Sequence, residues 1–177
     1  MYKPKTIHAK TALKAIQLSV EQGDTTEMEN DIIPDELQKI NACFVSIHKK
    51  DGSLRGCIGT LEPRCDNLYL EIIKNAFSAA IRDSRFNPLT SDEIEDIVVS
   101  VDVLSEPVKI KNISELDPKI YGVIVSSEGF SRAVLLPAIE GIDTVKEQLR
   151  IVKRKARLHD IDNEFLKILR FTATRYH

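Results

Sequence analysis

A chain of 177 residues is the size of one domain, or of one domain with two lobes. It can bury roughly 70% of the surface its unfolded form exposes, so neither disulfides nor a structural metal are needed for stability. The net charge of −2 excludes a whole-surface attraction to nucleic acid or anionic membrane and leaves only a local basic patch.

Apolar residues are 42% and charged residues 29%, with 6% aromatics and no Trp, so Leu, Ile and Val must fill the core. No apolar run reaches the about 18 residues of a membrane span. The start, Met1-Tyr2-Lys3-Pro4-Lys5, lacks the apolar centre of a signal peptide, and a cytoplasmic location is the expectation.

Ala9, Leu13, Ile16 and Val20 recur at helical spacing before Gly23, which predicts a helix over 6–22. A polar loop, 23–36, and a short helical turn around 35–40 follow. Phe44–His48 and Leu54–Thr60 are strands joined at Asp51-Gly52, a strong hairpin signal. A two-residue turn there sets Lys50 opposite Ser53, His48 opposite Arg55 and Ser46 opposite Cys57. It separates an apolar face (Val45, Ile47, Leu54, Gly56, Ile58) from one bearing Ser46, His48, Arg55 and Cys57.

A helix is predicted over 67–82, then a loop through Asp83-Ser84-Arg85-Phe86-Asn87-Pro88. Thr90 and Glu93 have the form of a capping box. Ile97, Val99, Val101 and Val103 mark a strand ended by Glu106-Pro107. Tyr121–Ser126 and Arg132–Leu136 flank Ser127-Glu128-Gly129 as a second hairpin. Thr144 opens a helix through about 157, and a last strand is predicted over 165–173. This order is neither a regular βαβ alternation nor all-β. It fits an α+β fold, a mostly antiparallel sheet flanked by helices.

The three cysteines, Cys43, Cys57 and Cys65, are odd in number and lack a Cys-x-x-Cys pair, which argues against disulfides and a zinc ribbon. His8, His48, His159 and His177 are scattered, and neither a metal nor a cofactor is expected.

The candidate site is Leu54-Arg55-Gly56-Cys57-Ile58-Gly59. Arg55 and Cys57, two apart on a strand, share a face, and a neighbouring cation favours the reactive thiolate. His48 across the hairpin is a candidate base, and Ser46 is a neighbour of the thiol. Gly56 and Gly59 suit a bulge or the close approach of a backbone or ligand. The alternative is a tight hairpin under a helix with Cys57 as a small buried hydrophobe. Arg85 either adds a second guanidinium to an anion site or neutralises Asp83, with Phe86 anchoring the core. Glu62 is an acid–base candidate or a solvated loop residue. Asp102 either bonds a neighbouring strand or lines a cleft. Lys146, Arg150, Lys153, Arg154, Lys155 and Arg157 are either a phosphate-binding footprint or the solvated face of an amphipathic helix, and no interleaved aromatics support the former.

At Leu54–Pro63 the sequence resembles the AMMECR family, and the resemblance continues through Asn75–Ala80, Asp83–Thr90, Val99–Ser105 and Leu135–Pro137. It implies an α+β fold with two lobes around a cleft, the signature motif at that cleft, and Arg55, Gly56, Cys57 and Gly59 as site residues with Arg85 second. It also implies partners of the MEMO-like or radical-SAM type. Tyr121-Gly122 stands where many relatives have His-Gly, and Arg132-Ala133 where many have Arg-Gly. Two readings follow. One is an enzyme, or a component of one, using Cys57, Arg55 and His48 on a small anionic ligand. The other is a non-catalytic module binding RNA or protein through the basic helix or the hairpin.

Overall fold

The computed structural model describes residues 2–127 and 131–177, so the tip of the second hairpin, Glu128-Gly129, lies outside the described residues. In chain order the main elements are α1 (Ile7–Glu21), β1 (Cys43–Lys49), β2 (Leu54–Gly59), α2 (Leu68–Ile81), β3 (Ile97–Leu104), β4 (Val108–Lys109), β5 (Gly122–Ser126), β6 (Arg132–Leu135), α3 (Val145–Lys155), β7 (Lys167–Phe171) and β8 (Ala173–Tyr176). The strands form two four-stranded sheets, ordered β2-β1-β3-β8 and β4-β7-β5-β6, so the chain is α+β. It divides into two compact units, Met1–Val103 with Thr174–His177, and Leu104–Ala173.

In the first unit, Thr6 caps α1 by accepting the Ala9 amide, and Asn67 caps α2 by accepting that of Leu70. Both helices are apolar along one stripe, and Ile16, Ile72 and Ala76 are fully buried with Val45, Ile47, Val99 and Val101 of the sheet. Each buried Val or Ile side chain contributes roughly 1.5–3 kcal/mol. A Cβ on Gly56 would collide with the carbonyl of Ala79, so glycine there lets α2 lie directly against β2.

The first hairpin differs from the expected register. Ser46 opposes Cys57 and Ile47 opposes Gly56, but His48 opposes Leu54 rather than Arg55. The Lys49 amide bonds the Ser53 carbonyl, Asp51 accepts from the amide and hydroxyl of Ser53, and Gly52 has φ +86°. The loop is therefore Lys50-Asp51-Gly52, one residue longer than a two-residue turn, with a left-handed residue at its end. A bulge at Arg55 absorbs the extra residue and restores the expected pairing from Gly56 onward.

In the second unit, α3 covers one face of the sheet, with Leu149, Val152 and Ala156 against Val123, Val125 and Ile168. Thr144 caps it, and Lys153, Arg154 and Lys155 lie in its last turn, where the helix dipole favours cations. The single strand expected over 165–173 is two strands in different sheets. Thr172 turns its backbone to Ser105, its amide to the hydroxyl and its carbonyl to the amide, and this interrupts both ladders. Short β4 carries too little periodicity to be read in advance.

Candidate functional site

The pleat of the first sheet sends Val45, Ile47, Gly56, Val99 and Val101 toward the helices. The opposite face carries Phe44, Ser46 and His48 from β1, Cys57 and Gly59 from β2, and Ser100 and Asp102 from β3. Ser46 and Ser100 are paired across the strands and buried. Gly59 leaves room for the Phe44 ring, which a Cβ there would strike.

Cys57 is half-buried, and its thiol accepts the Ser46 hydroxyl at 3.3 Å. Because β2 is an edge strand, the outward backbone groups of Cys57 have no strand to pair with. Two side chains take that place. The Asp83 carboxylate accepts the Cys57 amide at 2.9 Å, and the Arg85 guanidinium donates to the Cys57 carbonyl at 3.0 Å. Arg85 also grips Asp83 through two nitrogens, at 2.9 and 2.7 Å. That pairing, with the Cys57 and Arg85 amides, holds the Asp83 carboxyl well below the usual carboxylate range. Arg85 thus neutralises Asp83, one of its two readings, and also bonds the backbone of the signature motif.

Arg55 is placed differently from the expectation of a free cation beside the thiol. Its guanidinium makes a two-pronged contact with Glu93 at 2.7 and 2.8 Å and donates to the carbonyls of Asn87 and Pro88. Its side chain is only 10% exposed. Arg55, with the Thr90 amide and hydroxyl, brings the Glu93 carboxyl down to about 2. The Phe86 ring lies within 5.9 Å of the Arg55 guanidinium carbon and 5.5 Å of that of Arg85. Arg55 is therefore a positioning residue that ties the bulge to the loop after α2. Glu62 lies exposed on the segment following β2.

Asp102, one of the undecided residues, bonds a neighbouring strand. It is 3% exposed and takes a two-pronged contact from Arg175 of β8 at 2.8 and 2.9 Å. Sequence reasoning misses Arg175, because the change of sheets at Thr172 is set by a backbone contact. Asp102 is the chief cause that raises the Arg175 pKa, and the Arg175 charge adds to burial in lowering His48. Burial is the main cause of the His48 shift, which keeps its imidazole neutral at neutral pH. The other thiols are held protonated. Burial pushes Cys43 up to about 12, and burial with the Glu71 carboxylate raises Cys65.

Among the described residues no cluster of three or more His, Cys, Asp or Glu is arranged to hold a metal, and no helix is long and apolar enough to cross a membrane.

A family model described as AMMECR1 matches residues 9–176. A Thermotoga maritima protein is 52% identical over 170 residues, covering 96% of each chain. A Clostridium acetobutylicum protein is 43% identical over 174 residues, which is 97% of this chain but 36% of that longer one. The crystal structure of an uncharacterised protein from Pyrococcus horikoshii superposes with a TM-score of 0.83 at 30% identity, covering 95% of this chain and 88% of the other.

Proposed function

The chain belongs to the AMMECR1 family, and we propose that the polar face of its first sheet is a thiol-centred site for a small anionic ligand, working as an enzyme or as one component of an enzyme system. The observation that carries this reading is the double clamp on Cys57. Asp83 and Arg85 fix its amide and carbonyl from outside the sheet while the residue itself is only half-buried. Fixing a peptide unit on both sides holds its side chain in one orientation, as a nucleophile requires.

The surrounding groups fit that role. Ser46 donates a hydrogen bond to the sulfur and so helps to fix its direction. Neutral His48 is on the same sheet face and can accept the thiol proton. Arg85 and Arg175 are each paired with a buried Asp but about half exposed, and their solvent-facing edges are the donors offered to an anionic ligand. Gly56 and Gly59 serve the close approach of α2 and of Phe44, and Arg55 holds the bulge. The second component would be of the MEMO-like or radical-SAM kind that the family resemblance implies.

Iodoacetamide alkylation of the folded protein, followed residue by residue by mass spectrometry, tests this. The sulfur–carbon bond forms, iodide leaves and His48 takes the proton. Cys57 is expected to react faster than Cys43 and Cys65 at neutral pH, and more slowly in His48→Ala. A Cys57 no faster than an ordinary exposed thiol would end the nucleophile reading.

A further inference from the structure

In the second unit, β4 is the edge strand of its sheet, and its pairing fixes which backbone groups face outward. The Ile110 amide bonds the carbonyl of Ile168, and the register pairs Lys109 with Leu169 and Val108 with Arg170. Bonded and non-bonded pairs alternate in an antiparallel ladder, so the amide and carbonyl of Lys109 point away from β7 toward the open edge. Val108 is 58% exposed and Ile113, just beyond, is 46% exposed. An edge with free backbone groups and apolar side chains beside it can accept a further strand.

Two open cavities of about 380 and 500 Å³ adjoin this edge and share Ile113 and Asn163 as walls. The first continues along Lys109 and Lys111, and the second runs under α3, where Val145 and Leu149 form an apolar floor. Lys146, Arg150 and Lys153, at i, i+4 and i+7 of α3, stand along the second cavity on one helical stripe. Glu164 is the acidic residue lining the pair of cavities, against five Lys and Arg side chains. No Phe, Tyr or Trp among the described residues lines either one, so a nucleic acid would find phosphate partners but no stacking surface.

We infer that this edge and the adjoining groove bind an acidic, extended peptide segment of a partner protein. The peptide continues the sheet by bonding to Lys109, sets apolar side chains beside Ile113 and Leu149, and turns carboxylates toward Lys109, Lys111 and Lys146. The same lysines oppose pairing of the edge with a second copy of itself, so the charge selects an acidic strand over a neutral or basic one. This surface is independent of Cys57.

A fluorescein-labelled peptide of alternating Glu and Val, titrated into the full chain and followed by anisotropy, provides the test. Binding is expected at low ionic strength. It should weaken by about fivefold or more in Lys109→Glu/Lys146→Glu, since reversing cations in contact with carboxylates acts on both affinity and encounter. It should also weaken when a central Val of the peptide is replaced by proline, which removes a ladder donor. Circular dichroism of the double variant shows whether the fold is kept, and both positions are exposed. Three outcomes overturn the proposal: no binding to the native chain, equal binding of a Lys–Val peptide, or indifference to both changes. Tighter binding of a single-stranded oligonucleotide, lost in the same variant, would assign the groove to nucleic acid instead.

Discussion

The Asp83 carboxylate accepts the backbone amide of Cys57 at 2.9 Å across 26 positions of sequence, while Arg85 returns from the same tripeptide to the Cys57 carbonyl. Asp83 is 5% exposed, and removing it leaves the Cys57 amide without its acceptor and frees Arg85 together. Asp83→Ala is expected to cost about 1–3 kcal/mol in urea unfolding, less than a fully buried charged network because the Arg85 side chain is 53% exposed. Asp83→Asn keeps an acceptor for the Cys57 amide but loses the charge facing Arg85, and should fall between. Equal stability of Asp83→Ala and the native chain would show that the clamp does not hold the strand.

Arg55 is expected to matter first for stability. Arg55→Ala leaves the partly buried Glu93 unpaired and the carbonyls of Asn87 and Pro88 without their donor. A loss of about 2–4 kcal/mol follows, somewhat below a fully buried pair because the Glu93 side chain is 28% exposed. Arg55→Lys should recover less than half, because an ammonium cannot make the two-pronged contact and reach the carbonyls at once. Urea midpoints of the three proteins decide it. Full stability in the lysine variant would mean that a point charge suffices.

The helices and most strands are readable in the sequence because their apolar periods are intact. Ile97, Val99, Val101 and Val103 alternate as a strand should, and Leu149, Val152 and Ala156 keep a helical stripe. The pairing of Ser46 with Cys57 is readable too, from Asp51-Gly52 and the alternation around it. What Arg55 contacts is not. That depends on a one-residue bulge and on Glu93, 38 positions away, whose capping-box pattern explains its presence without any tie to Arg55. Arg175 is hidden for a similar reason. Its place beside Asp102 follows from Thr172 leaving one sheet for Ser105, a backbone event with no periodic signature.

Gly56 has ordinary strand geometry, so its role is space alone. Gly56→Ala puts a methyl group into the carbonyl of Ala79, a helical backbone atom that cannot turn aside. The variant is expected to lose about 1–3 kcal/mol, as overpacked cores do. Gly52→Ala, at φ +86° with open space around it, should lose less, through backbone strain at an exposed turn. Chemical unfolding of both variants checks the order, and a reversal of that order would contradict the close approach of α2 to β2.

Acid should loosen the first unit before it affects the rest. The Glu93 carboxyl is lowered from 4.5 to about 2, chiefly by Arg55, and Asp83 is also lowered, chiefly by Arg85. A depressed carboxyl binds protons less readily in the folded chain than in the unfolded one. Its stabilisation is complete above its unfolded value and is lost as the pH falls through its folded value. For Glu93 the window runs from 4.5 down to about 2, with a loss of about 1–3 kcal/mol after allowing for its partial exposure. Urea midpoints measured through this range should therefore drop steadily. Glu93→Gln should start lower at neutral pH and decline less, because the proton it would take up has no carboxylate to meet. If the native and Glu93→Gln curves run parallel down to the acid end, the Arg55–Glu93 pair is not the source of the acid sensitivity.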